Sequence, residues 1–89
     1  MKLSNRKIEK IYEQILANLY SHNPKPIFTS HIASELARDE EFIKKLLFAL
    51  KKKELVLEIK KNSKGEIYSK RSRWKLTKSA YESYQKMQF

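Results

Sequence analysis

The chain has 89 residues, no cysteine and a formal charge of +10, from 20 Lys and Arg against 10 Asp and Glu. That length supports one core and excludes two, and the missing thiols exclude a disulfide framework, a thiolate zinc site and thiol-based redox sensing. The basic excess favours polyanionic partners; the charged opening MKLSNRKIEKIYEQ lacks the apolar run that a signal peptide or membrane span needs, so a cytoplasmic protein with no membrane partner is expected.

From Ser4, a candidate N-cap, Ile8, Ile11, Tyr12, Ile15, Leu16, Leu19 and Tyr20 recur at spacings of three and four, which predicts an amphipathic helix over about residues 5 to 21. The Ser21-His22-Asn23-Pro24-Lys25-Pro26 break ends it, because proline disfavours helix for itself and for the residue before it. Ile27 and Phe28 read as a very short strand. Thr29 or Ser30 can cap a second helix, about 30 to 38, with Ile32, Ala33 and Leu36 inward. Asp39 caps a third, about 40 to 53, in which Ile43, Leu46, Leu47 and Leu50 share one stripe and belong to the core.

After Glu54 the period changes. Leu55, Leu57 and Ile59 alternate with Val56, Glu58 and Lys60, the pattern of a strand with one buried face. Asn62-Ser63-Lys64-Gly65 supplies a turn, with Gly65, the chain's one glycine, free to take positive φ. A second strand follows over about 66 to 76, with Tyr68, Trp74 and Leu76 on one side. Thr77 caps a last helix, about 78 to 88, carrying Ala80, Tyr81, Tyr84 and Met87 on one stripe. The expected fold class is α+β, mainly helical with a small β-hairpin.

Charge is concentrated in and around that hairpin. Between Lys51 and Lys78 eleven basic residues face three acidic ones, so this stretch carries +8 of the net +10.

This order resembles the winged helix-turn-helix family, and is most similar to small regulators of the MarR, PadR and ArsR kinds. Phe28-Thr29-Ser30 with Ile32-Ala33-Ser34-Glu35-Leu36 matches the family's lead into its second helix. Asp39 to Leu47 occupies the place of the recognition helix, Leu50-Lys51-Lys52-Lys53-Glu54-Leu55-Val56 matches the ending that leads into the wing, and Trp74-Lys75-Leu76-Thr77 is similar to the closing strand. The sequence departs from the pattern where Glu54 stands for a usual glycine and where Ala37 and Arg38 occupy a turn that often holds one.

The resemblance implies a single domain over 1–89: helix-turn-helix 29–53, wing 55–76 and C-terminal helix 78–88. It implies double-stranded DNA as partner, with the third helix in the major groove, the start of the second against phosphate and the wing over flanking backbone or minor groove. The candidate contact residues are Thr29 and Ser30; Glu41, Lys44, Lys45, Phe48 and Lys52 on the third helix; and Lys60, Lys61, Lys64, Lys70, Arg71 and Arg73 on the wing. Phe48 has three readings: contact with thymine methyls, contact with a protein partner, or cover by the wing. By the same resemblance the last helix, through Tyr81, Tyr84 and Met87, supplies a homodimer surface.

A transcription regulator, nucleoid-associated if it binds DNA, is the first reading. A centromere-binding partition protein would use the same parts. A winged-helix protein-interaction module, with Phe48 and the helix-four aromatics as anchors, is the reading from a different class, and single-strand binding through Tyr68 and Trp74 is another. No enzyme is expected: His22 and His31 are not spaced with carboxylates as a metal site or triad requires, and one glycine cannot form a phosphate-binding loop. Neither a cofactor nor a small-molecule effector is expected.

Overall fold

A computed structural model describes residues 5–60, 64 and 71–87, which form four helices and a three-stranded antiparallel sheet. The order is α1 (Asn5–His22), β1 (Ile27–Phe28), α2 (Thr29–Glu35), α3 (Glu40–Lys52), β2 (Val56–Ile59), β3 (Arg73–Leu76) and α4 (Lys78–Met87). It is the element order of a winged helix-turn-helix. The turn expected at Gly65, and the stretch from Glu66 through Tyr68 to Lys70, lie outside the described residues.

The helices fold where their apolar stripes find one shared core. α1 buries Ile11, Ile15 and Leu19, α2 buries Ile32 and Ala33, and α3 buries Ile43, Leu46, Leu47 and Leu50. Ile27, Val56, Trp74 and Leu76 close the same cluster from the sheet. α3 is well specified at both ends. The Asp39 carboxylate accepts from Phe42 N–H at 3.0 Å, Glu40 and Glu41 follow in the first turn, and Lys51 and Lys52 occupy the last, each sign matching the helix dipole.

Both departures from the family pattern coincide with left-handed backbone. Ala37 has φ 54° and Glu54 φ 61°. At the end of α2, Ala37 N–H bonds to Ser34 O and Arg38 N–H to Ala33 O; at the end of α3, Glu54 N–H bonds to Lys51 O and Leu55 N–H to Leu50 O. Each is a paired 5→2 and 6→1 closure that satisfies helix carbonyls and turns the chain sharply, at a position where glycine avoids a Cβ clash.

The central strand is β3, with β1 and β2 on either side. Register places Val56 opposite Leu76, and both Ile27 and Glu58 opposite Trp74. The buried face of β2 is therefore that of Val56 and Glu58. Leu57 points the other way and is 47% exposed, although Leu57 and Ile59 are the more apolar residues of the alternation. The register wins because Trp74 and Leu76 can bury only one face of their strand, and their partners must follow them.

The start of α2 also differs from expectation. Neither Thr29 nor Ser30 caps it; Phe28 is the N-cap, in extended conformation and without a side-chain cap bond. The Thr29 hydroxyl is buried and accepts from the Trp74 indole N–H at 2.8 Å. Replacing Thr29 by valine keeps the shape and removes that acceptor, leaving a buried indole N–H unsatisfied, so a loss of about 1–3 kcal/mol is expected. Denaturant unfolding followed by the fluorescence of Trp74, the only tryptophan, measures it.

α4 begins as expected: Ala80 N–H donates to the Thr77 hydroxyl at 3.2 Å, and that hydroxyl donates to Glu54 O at 3.0 Å, tying the last helix to the turn after α3. Among its described residues none is buried. Tyr20 of α1 stacks on Tyr81 at 5.2 Å between ring centroids and lies tilted against Tyr84 at 4.6 Å. No helix among the described residues is long and apolar enough to cross a membrane.

Candidate nucleic-acid interface

The beginnings of α2 and α3 and the return into β3 converge on one cleft of about 230 Å³, lined by Phe28, Thr29, Ser30, Glu40, Glu41, Lys44, Arg71 and Ser72. Ser30, Glu41, Lys44 and Arg71 are exposed. The Arg71 guanidinium lies 5.7 Å from the Phe28 ring centroid, a cation–π contact that holds the charge at the wall facing α3. Thr29 lines the cleft, but its hydroxyl is committed to Trp74 and its N–H to Ser72 O at 3.4 Å. Thr29 is only 7% exposed, which leaves Ser30 the more accessible of the two expected phosphate contacts.

Along α3, Glu41, Lys44, Phe48 and Lys51 fall in one row by helical spacing, on the side toward the sheet; Lys45 and Lys52 are also exposed. Phe48 meets the Trp74 ring edge-on, with centroids 5.5 Å apart and planes at 89°, and Lys51 Nζ lies 5.8 Å from its centroid. More than half of Phe48 is thus covered, its exposure being 39%. It sits at the seam between α3 and the sheet, and the wholly outward positions are those of the lysines.

The seam is fixed by a polar network that the sequence does not reveal. Lys51 Nζ donates to Glu58 Oε1 at 2.9 Å and the Ser72 hydroxyl donates to Glu58 Oε2. Only 4% of the Glu58 side chain is exposed. Burial alone would raise the Glu58 carboxyl, but the bonds from Lys51 and Ser72, with the Lys51 and Lys60 charges, outweigh it and hold it below its ordinary value. A depressed carboxyl stabilises the fold above its unfolded value, and that contribution is lost as pH falls through the folded value. Glu58→Gln is therefore expected to cost about 1 kcal/mol at neutral pH, discounted because Lys51 is half exposed. The gap from the parent should close as pH drops below 4.5, the ordinary value; paired denaturant titrations over that range check it.

On the wing, Lys60 and Lys64 are exposed. Arg73 is half-buried on β3, opposite Phe28 and Ile59. Lys61 and Lys70 lie outside the described residues. Of the expected dimer residues, Tyr81 and Tyr84 are half-buried against Tyr20, and Met87 is exposed. Tyr84 and Met87 line an apolar groove with Leu16, Leu55, Leu76 and Ala80.

The expectation that the histidines stand apart from any carboxylate is corrected: His31 and Glu35 are spaced i,i+4 on α2 and lie 3.2 Å apart. The turn at Asn23 and Pro24 swings the end of α1 over α2, and His22, His31 and Glu35 come together with ligand atoms all within 4.8 Å. Phe28 and Ser72 join the candidate site as well: neither carries a charge, and both line the cleft only through where the strands bring them.

No protein-family model matches the chain, and no curated protein does. Solved structures do. Staphylococcus aureus MepR in complex with DNA superposes with a TM-score of 0.71 at 20% identity, over 93% of this chain and 68% of that one. MepR in its DNA-binding conformation gives 0.70 at 21%, over 94% and 62%. A variant of Lactococcus lactis ZitR gives 0.65 at 20%, over 99% of this chain and 52% of that one. The chain spans from about half to two thirds of the length of these structures, and the likeness shows the fold, a winged helix-turn-helix.

Proposed function

We propose, from the winged helix-turn-helix fold and its cleft, that the protein binds duplex DNA as a transcription regulator in the cytoplasm, as a homodimer. The observation that carries this is the convergence of Lys44 on α3 with Arg71 at the entry to β3 across one cleft. Two basic groups separated by 27 positions in sequence are thereby set to grip the same strand from the groove and from the wing. The solved MepR–DNA complex, whose fold this chain shares, supports the same use of the parts, and MepR is described as a transcription regulator of a multidrug efflux pump.

In this reading Lys44 and Lys45 face base edges and nearby phosphates, Ser30 meets phosphate at the start of α2, and Lys52 lies further along the groove. Lys60, Lys61, Lys64, Lys70, Arg71 and Arg73 supply the wing's attraction to the backbone. Glu41 accepts from cytosine N4 or offsets the dipole of α3. Phe48 sets the angle between reader and wing through its edge contact with Trp74 and offers its free edge to the groove. The apolar groove carrying Tyr84 and Met87, next to Tyr81, is the dimer surface.

Selection of bound duplexes from a random pool, read with the solution mass, tests the proposal. A two-fold pseudo-palindrome with half-sites about 10 bp apart or a multiple of that, bound by a species of twice the chain mass, is expected. A pool that shows no enrichment contradicts it.

A further inference from the structure

We propose that His22, His31 and Glu35 form a binding site for a divalent metal ion of the zinc class at the junction of α1 and α2. His22 is the last residue of α1, whereas His31 and Glu35 stand one turn apart on the same face of α2. Glu35 Oε1 lies 3.0 Å from His22 Nε2 and 3.2 Å from His31 Nε2, and the three ligand atoms are all within 4.8 Å of one another. A tetrahedral ion with bonds of about 2.0–2.2 Å holds its ligand atoms roughly 3.4 Å apart. Two of the three separations are already near that value, and the third closes by rotation of His31, whose side chain is 54% exposed.

The donor set selects the metal. Two imidazoles and one carboxylate suit zinc and its neighbours, whereas magnesium and calcium take oxygen ligands. The carboxylate is held in place: Asn18 Nδ2 donates to Glu35 Oε1 at 3.1 Å. In the metal-free protein His22 Nε2 and His31 Nε2 both lie against the same Glu35 oxygen. An ion bound through the two Nε2 atoms would leave each ring's hydrogen on Nδ1. Three protein ligands leave a fourth position open to water. Bound metal would pin the end of α1 to the first helix of the helix-turn-helix.

The site does not depend on the DNA reading, and its test uses the full chain without nucleic acid. Titration with zinc chloride near neutral pH, followed by calorimetry and thermal unfolding, should give one zinc per chain. The Tm should rise by about 10 °C once free zinc exceeds Kd a hundredfold, and magnesium should leave it unmoved. Cobalt(II) should give the visible absorption of a tetrahedral site. His31→Gln, at an exposed position, should keep the metal-free Tm and bind zinc at least about tenfold more weakly, since even outer-shell changes cost that much. Glu35→Gln should weaken binding likewise. Absence of a zinc-dependent shift in the parent overturns the proposal, as does an unchanged zinc affinity and stoichiometry in the His22→Gln/His31→Gln double variant.

Discussion

Replacing Lys60 and Arg71 together by alanine is expected to weaken duplex binding roughly thirtyfold at about 0.15 M salt and to lower the slope of log K against log salt by about 1.8, the release of counterions from two phosphates. The loss should be nearly equal for every sequence, because these side chains hold the backbone and carry no base information. Lys44→Ala should behave differently, costing about 1–3 kcal/mol on the selected site, less on random duplex, and relaxing the preference at a single base step. Quantitative titrations of selected and scrambled duplexes at several salt concentrations separate the two effects. Equal and sequence-independent losses from both changes would remove the assignment of α3 as the reader.

Two glycine substitutions should strengthen the fold. Ala37 and Glu54 hold φ of 54° and 61°, which costs a residue with a Cβ about 1–2 kcal/mol. Glycine relieves that cost but gives up about 0.4–1 kcal/mol through the added freedom of the unfolded chain. Each change should therefore add roughly 0.5–1 kcal/mol, and the double variant should melt about 5–10 °C higher. Lys53 supplies the control. One position before Glu54, with φ −83°, it gains nothing from glycine, and Lys53→Gly should lower stability by roughly 0.5–1 kcal/mol. Thermal unfolding of the four variants decides the matter, and the opposite signs at 53 and 54 are the signature.

Those two positions show how the sequence carries the fold and where it stops. The stripes of α1 and α3, the Asp39 and Thr77 caps and the short Ile27-Phe28 strand are all legible, because spacing and capping chemistry act within a few residues of chain. The missing glycines at 37 and 54 are visible too, but only the backbone shows that both helices still close in the left-handed way and tolerate the cost. Glu58 is harder. Alternation favours the Leu57 face as the buried one, and the opposite outcome depends on pairing with β3, on Lys51 arriving from the end of α3 and on Ser72 across the sheet. Such a carboxylate can be buried only once distant partners are assembled.

The proposed interface is legible in charge and less so in detail. The basic hairpin and the lysines of α3 stand out from their type alone. That Thr29 serves Trp74, and that Phe48 is half covered by the same ring, follows from a tertiary contact 45 and 26 positions along the chain. His22 and Glu35, 13 positions apart, meet for the same reason: a turn folds one helix end over the next.

On the proposed function, one face of this molecule holds duplex DNA. The most direct measurement of this is the affinity of the full chain for a short duplex and for a single strand of the same length and composition, across a series of salt concentrations. Tighter binding to the duplex is expected, with log K falling steeply and linearly as log salt rises. Binding that favours the single strand, or duplex affinity that is negligible at low salt, would contradict it.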